Sequence, residues 1–534
     1  MLTRHLIRGF CATALLCGSL AAAPADGRLA DAAMNGNVDT VKLLLKQKVD
    51  VNAAQGDGTT ALHWAAFRDD LDLAQLLLQS GANVKAATRN GAITPLTMAA
   101  RNGSAAMVGL LLKAGADANT TSANGTTVLM DAAVSGSADT VKLLLEKAAN
   151  PNAKEKQNGQ TALMFAAWEN RGAVIKMLAS HGADLAVTST VVKLEKETLD
   201  ENGNPVNATV NDPDYIRGGE RAKVDPTADP PGNLLMGGLT ALLIASRDGQ
   251  MAAVQALVES GVNVNQVSAG DRSSGLVISI SNGHYGVAKY LVDHGANPNI
   301  VNIDGLSPLW ATVNMRYAPI SWAPNPRTDE EIDSIVLINA LLDHGADPNA
   351  RTLKRKLWFS PSSHDQTWVD PKGSTAFVRA AASSDVEAMK ALFARGADPN
   401  LPTLSGTTPL TVAAGLGWVG NFSTNAPGQW MNAVMFCLEH GADVTAVDNK
   451  GYTALHGAAV RGDNELIMLL LSKGAKIDAV TKAGDTVADM ANGPFEHAIQ
   501  KKDTVALLEK LGSKNSNNCR ADTCVVNAKK PGGK

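Results

Sequence analysis

One signature returns along nearly the whole chain and limits what the chain can fold into. A Thr-x-Leu step stands at Thr60, Thr94, Thr127, Thr161, Thr240, Thr408 and Thr453, with a Thr-x-Phe version at Thr375 and serine versions at Ser274 and Ser307. Neighbouring copies are 33 or 34 residues apart, except at three longer gaps. Each step is followed by "LLxxGAD" or a near relative, as in "LLLKAGADAN", "LVDHGANPN" and "CLEHGADV". A fixed period of this length marks stacked supersecondary units.

The physics of one unit can be read from residues 60 to 83. Thr60 is placed to cap a first helix through its hydroxyl, and Ala65 and Ala66 are small enough to admit a second helix. From Leu71 to Leu78 the apolar residues recur at helical spacing. Gly81 then ends that helix, because glycine takes the left-handed conformation at little cost. A single unit cannot bury its own apolar face, so neighbours must stack. Lys48 and Ala148 occupy the glycine position in the first and fourth units. Lys48 suits a terminal repeat, whereas Ala148 predicts local strain or an earlier helix end.

With these motifs the chain resembles the ankyrin repeat family over residues 28 to 512, in about eleven to twelve repeats. The resemblance implies an all-α solenoid: helix-turn-helix units joined by β-hairpin fingers, in a curved stack on the order of 100 Å long. It divides the chain into repeats over 28–187 and 238–512, a polar insertion at 188–237 and a flexible tail at 513–534. Shorter insertions interrupt the later repeats near 315–333, 352–371 and 416–430. The first insertion reads as an extended hairpin, with "VVKLEKETL" before an Asn202-Gly203 turn.

The family's partners usually bind the groove between hairpin tips and first helices. Carried over position by position, the groove residues are Phe67 and Arg68, Arg101 and Asn102, Val134 and Ser135, Trp168 and Glu169, Arg247 and Asp248, and Val460 and Arg461. Trp64 is expected to pack inward. Six of the eight tryptophans fall between residues 310 and 430, so the insertions present a second candidate surface. Tyr317, Trp322, Trp358, Trp368, Trp418 and Trp430 either form an aromatic recognition patch or hold each insertion down on the rod. Trp310 replaces the family histidine and reads as packing.

Chemistry finds little support. His63 and His456 match the family's "TPLH" histidine, a structural hydrogen-bonding residue. His181, His294, His344 and His440 each precede a helix-ending glycine, where they favour the C-terminal dipole. Equivalent residues about 9 Å apart in successive repeats cannot share one metal, so neither metal nor cofactor is expected. There is no Walker loop, GxSxG elbow or HExxH motif. "GLGWVG" at Gly415–Gly420 follows a helix rather than the strand a dinucleotide site needs.

A net charge of −4 argues against nucleic-acid partners. Arg4 and Arg8 precede an apolar run from Gly9 to Ala23 and a small-residue "APA" at Ala23–Ala25. This reads as a signal peptide over residues 1–25, followed by no membrane span. Export makes a disulfide between Cys519 and Cys524 favourable, and Cys437 reads as a buried apolar residue. The chain is expected to be a monomeric, non-catalytic scaffold that binds a protein in an exported compartment, periplasmic or else secreted. The alternatives are a small-molecule or carbohydrate binder using the tryptophan patch and, behind it, an enzyme.

Overall fold

The structure is a computed structural model that describes residues 26–194, 234–317, 332–353, 369–370, 372–418, 426, 428–494, 499–517 and 519–520. The described residues form twelve helix pairs. The first six pairs are α1 (Arg28–Met34) with α2 (Val38–Lys46), α3 (Ala61–Phe67) with α4 (Leu71–Gln79), α5 (Pro95–Arg101) with α6 (Ala105–Lys113), α7 (Val128–Ser135) with α8 (Ala138–Glu146), α9 (Ala162–Trp168) with α10 (Gly172–Ser180), and α11 (Ala241–Arg247) with α12 (Met251–Glu259). Next come α13 (Gly275–Ser281) with α14 (Tyr285–Asp293), α15 (Pro308–Arg316) with α16 (Ser334–Asp343), and α17 (Ala376–Ala382) with α18 (Val386–Phe393). The last are α19 (Pro409–Ala413) with α20 (Trp430–Glu439), α21 (Ala454–Arg461) with α22 (Asn464–Ser472), and α23 (Val487–Ala491) with α24 (Lys502–Lys510).

Each odd-numbered inner helix packs on the next from α1 to α23, and outer helices pack on each other from α4 to α20. One core therefore runs through the stack, built from the small pairs such as Ala65 and Ala66 and from leucines such as Leu73 and Leu77, all buried. This is the all-α solenoid that the period implies. The serine and threonine that replace alanine at Ser279 and Thr312 stay buried, because each hydroxyl donates back to its own helix, at Gly275 O (2.7 Å) and Pro308 O (2.8 Å).

Local chemistry sets each boundary. Thr94, Thr127, Thr240, Thr375 and Thr408 cap inner helices by accepting the backbone N–H three residues on. At Thr60 the hydroxyl and backbone N–H both meet His63 Nδ1, at 2.8 and 3.1 Å, and Thr453 repeats this with His456. Lys48 and Ala148 adopt φ of 58° and 59°, so the helix end keeps its left-handed residue even without glycine. The strain expected at Ala148 is thus in the backbone, with no earlier helix end.

The fingers are less regular than hairpins. Among the described residues outside the first insertion, they are turns with single bridges at Thr121–Thr127, Val267–Ser274 and Val480–Thr486. In two of the fingers a buried side chain holds the turn: Glu155 accepts the backbone N–H groups of Gln157, Asn158 and Gln160 at 2.6–3.0 Å. Asp448 does the same for Lys450 and Tyr452. The first insertion does form an antiparallel pair, β1 (Val191–Leu194) with β2 (Leu234–Gly237). The partner of "VVKL" is therefore not a strand directly after Asn202-Gly203, and those two residues lie outside the described ones.

The asparagine of "GADxN" joins one repeat to the next. Asn349 Nδ2 donates to Gly396 O (2.9 Å) while its Oδ1 accepts from Asp398 N (2.8 Å). Asn52, Asn119, Asn152 and Asn299 make the same two bonds to their following repeats. The tail expected to be flexible from residue 513 begins by folding back. Ser516 donates from N and Oγ to Asp489 Oδ1, both at 2.7 Å, and Arg520 Nη2 lies 3.3 Å from Asp485 Oδ1.

Candidate protein-binding groove

Fingers and inner helices face each other along the stack, and the last turn of each inner helix forms one wall. Phe67 and Trp168 are 56% and 47% exposed there, and Val134 is also exposed. Trp64 is half-buried rather than core: Phe67 packs on its ring edge-on (5.8 Å), and its indole N–H donates to Gln55 Oε1 at 2.9 Å.

The polar groove positions work mostly within the stack. Arg68 Nη1 donates to Met34 O (3.3 Å), and its guanidinium lies where a Cβ on Gly36 would stand, 2.5 Å from Nη2. Asn102 Nδ2 donates to Phe67 O (2.7 Å) and Ala66 O (3.2 Å). Arg171 and Gln250 make equivalent bonds to Val134 O and Trp168 O. Each of these side chains satisfies carbonyls that the preceding inner helix leaves unpaired at its C-terminus. Glu169 approaches Arg171 at 4.0 Å, and Arg247 pairs with its neighbour Asp248 at 2.7 and 2.9 Å. Ser135 Oγ turns back to Ala132 O.

At α5, α7 and α9 the groove deepens into a cavity of 280 Å³. Met130, Phe165 and Trp168 line its helix side, and Asn124, Gln157 and Asn158 line its finger side. Arg101 Nε donates to Asp131 Oδ1 (2.9 Å) at its base. Asp131 is 9% exposed, and burial raises its carboxyl pKa against the opposing pull of Arg101.

Family models described as ankyrin repeats match residues 29–122, 96–189 and 220–309 as triple repeats and residues 450–482 as a single repeat. The chain is an ankyrin-repeat protein. Among curated proteins it is similar to the palmitoyltransferase akr1 of Schizosaccharomyces pombe, 48% identical over 61 residues, covering 11% of this chain and 10% of that protein. It is also similar to the putative palmitoyltransferase ZDHHC13 of Danio rerio, 29% identical over 251 residues (47% and 32%). The E3 ubiquitin-protein ligase KEG of Arabidopsis thaliana is 27% identical over 194 residues (35% and 10%). The chain spans a third or less of the length of these relatives.

Ankyrin repeats serve protein interaction, and the later repeats of this protein have an altered groove. Val460 is buried, and the Arg461 guanidinium carbon lies 5.5 Å from the Trp418 ring centre and 5.7 Å from that of Trp430. Burial pushes the Arg461 pKa down to about 10. The pair expected to face a partner is thus packed under the fourth insertion. Trp430 also donates from Nε1 to Asp463 Oδ2 (2.8 Å), so both described insertion tryptophans pack on the rod. Trp322, Trp358 and Trp368 lie outside the described residues.

Beside the second insertion, Arg379 is half-buried and donates to Asn314 Oδ1 and Tyr317 O, both at 2.6 Å. Arg316 pairs with Asp385 (2.6 Å) and Glu387 (2.8 Å), and its guanidinium lies over the Tyr317 ring at 5.8 Å. This buried charge network gave no repeat-level signal, since it joins α15 to α17 and α18 across an insertion. Trp310 is buried, with Nε1 donating to Ser374 Oγ (3.3 Å).

His63 and His456 are buried caps, and burial lowers both pKa values, that of His456 to about 4. His181, His294 and His440 are C-caps whose Nδ1 reaches the carbonyl four residues back at 2.7–2.9 Å. His344 instead lies 3.4 Å from Asp293. Among the described residues no group of three or more His, Cys, Asp or Glu is placed to hold a metal, and no helix is long and apolar enough to cross a membrane. Cys437 is a buried thiol with its pKa pushed up to about 12. Cys519 is disulfide-bonded, and Cys524 lies outside the described residues.

Proposed function

We propose that this ankyrin-repeat protein is a monomeric, non-catalytic scaffold that binds a protein partner along the groove of its first five repeats, in an exported compartment. The observation that carries the reading is the contrast along the stack. Phe67 and Trp168 stand exposed in the early groove, whereas Arg379 and Arg461 in the late one are engaged with the Tyr317 backbone and with the Trp418 and Trp430 rings. Exposed aromatics beside a polar rim suit a protein surface.

Cys437 takes no part as a nucleophile in this reading, since its buried thiol is held protonated. Export is supported by the leader-like residues 1–25 and by the disulfide at Cys519. The periplasm is the first expectation and release from the cell the second. The first repeat helix starts at Arg28, just past the expected cleavage point. N-terminal sequencing of the exported chain should begin at Asp26, and retention of Met1 would overturn that part.

The groove is tested by co-purification from the exported fraction. Phe67→Ala with Trp168→Ala should lose the proteins that the parent retains, while Met468→Ala on α22 should keep them. Equal recovery with all three would overturn the assignment.

A further inference from the structure

Asp131 is out of place in its row. The same position of neighbouring inner helices holds Trp64, Met98, Phe165 and Ile244, so a carboxylate stands where the groove wall is otherwise apolar. Its Oδ1 takes one hydrogen bond from Arg101 Nε, and its buried Oδ2 has no hydrogen-bond partner. A buried carboxylate oxygen without a donor is costly. It borders a 280 Å³ cavity that Phe165 and the half-exposed Trp168 also line.

From this geometry we infer that the cavity receives a lysine or arginine side chain from an extended segment of the protein partner. Three features choose a cation over a neutral donor. The open oxygen belongs to a carboxylate. Asp131 and Glu155 outnumber Arg101 among the charged residues lining the cavity. The rings of Phe165 and Trp168 attract a cation through their faces and cover its methylene stem. Arg101 is half-exposed and occupies Oδ1 alone, which leaves Oδ2 for the incoming group. On the finger side, Asn124, Gln157 and Asn158 offer amides to a partner backbone. This assignment rests on the groove reading above.

The test uses random dodecapeptides displayed on phage and selected against the full-length mature chain, then resynthesised with a fluorescein label for anisotropy titration. Selected peptides should share one Lys or Arg, and changing it to Gln should weaken binding at least about tenfold. Asp131→Asn should weaken the parent peptide equally and leave the Gln peptide unchanged, so that the two losses do not add. The variant should melt no lower than the parent, since it removes a buried charge. Peptides that need Trp168 but show no basic residue, or that bind Asp131→Asn undiminished, would overturn the cation site and leave the groove standing. Peptides indifferent to both Trp168→Ala and Phe67→Ala, or no selected peptides, would overturn both.

Discussion

At the scale of single residues, the repeated asparagine is the strongest structural finding. Asn349 makes two hydrogen bonds to backbone of the following repeat, and a typical hydrogen bond contributes about 1 kcal/mol net. Asn349→Ala should therefore cost about 1–2 kcal/mol, read as a lower urea midpoint. Burial of His456 sets a pH dependence whose sign is definite. Its pKa in the fold is about 4, below the ordinary value near 6.5, so the unfolded chain takes up the proton first as pH falls. Stability is then full above about 6.5 and declines toward about 4, by an amount on the order of 3 kcal/mol. His63 adds in the same direction. His456→Gln should flatten that window in urea titrations at stepped pH; an unchanged slope would refute the assignment. The role of these histidines was legible because the motif Thr-x-x-His places the ring beside its own helix cap. The asparagine recurs in most repeats, yet its partner lies about thirty to fifty residues on, and nothing local to "GADxN" names it.

At the scale of elements, the same split recurs. Helix positions and ends followed from periodicity and glycine, and Ala148 announced its left-handed backbone by replacing that glycine. Ala148→Gly should relieve the strain and raise stability by about 1 kcal/mol, seen as an upward shift in Tm. The insertions were legible as interruptions and illegible as contacts, because burial of Arg461 depends on where Trp418 and Trp430 come to rest in three dimensions. Trp430→Ala should remove a ring near Arg461 and the bond to Asp463, at a cost of about 1–3 kcal/mol. Hydrogen exchange in α21 should rise with it. The groove shows the limit most clearly: Arg101 and Trp168 were named from position, while Asp131 was not, although an acid in an apolar row was there to be seen.

At the scale of the whole molecule, each repeat is bonded to the one before and the one after, and the joints are not equal. Ala186 stands where most repeats carry the bonding asparagine; Lys85, Thr445 and Asp478 replace it elsewhere. There the fifth and sixth repeats are joined instead by Asn170 Oδ1 accepting from Ala253 N (2.8 Å), Gln266 Nε2 donating to Leu185 O (2.9 Å), and the exposed Lys176–Glu259 pair. An exposed ion pair contributes little. Ala186→Asn should therefore tighten the junction by about 1 kcal/mol, measured as slower hydrogen exchange in α9 and α11.

The asparagine joint is also indifferent to how much chain runs between the repeats it connects. Asn52 reaches a residue 31 positions on and Asn349 one 49 positions on, through the same pair of atoms. Even across the longest insertion, Asn170 meets Ala253 only 83 residues later. No described repeat has to wait for the far end of the chain before its neighbours exist. A nascent polypeptide delivered N-terminus first can thus close each joint as the next repeat arrives, and the order of synthesis becomes the order of folding.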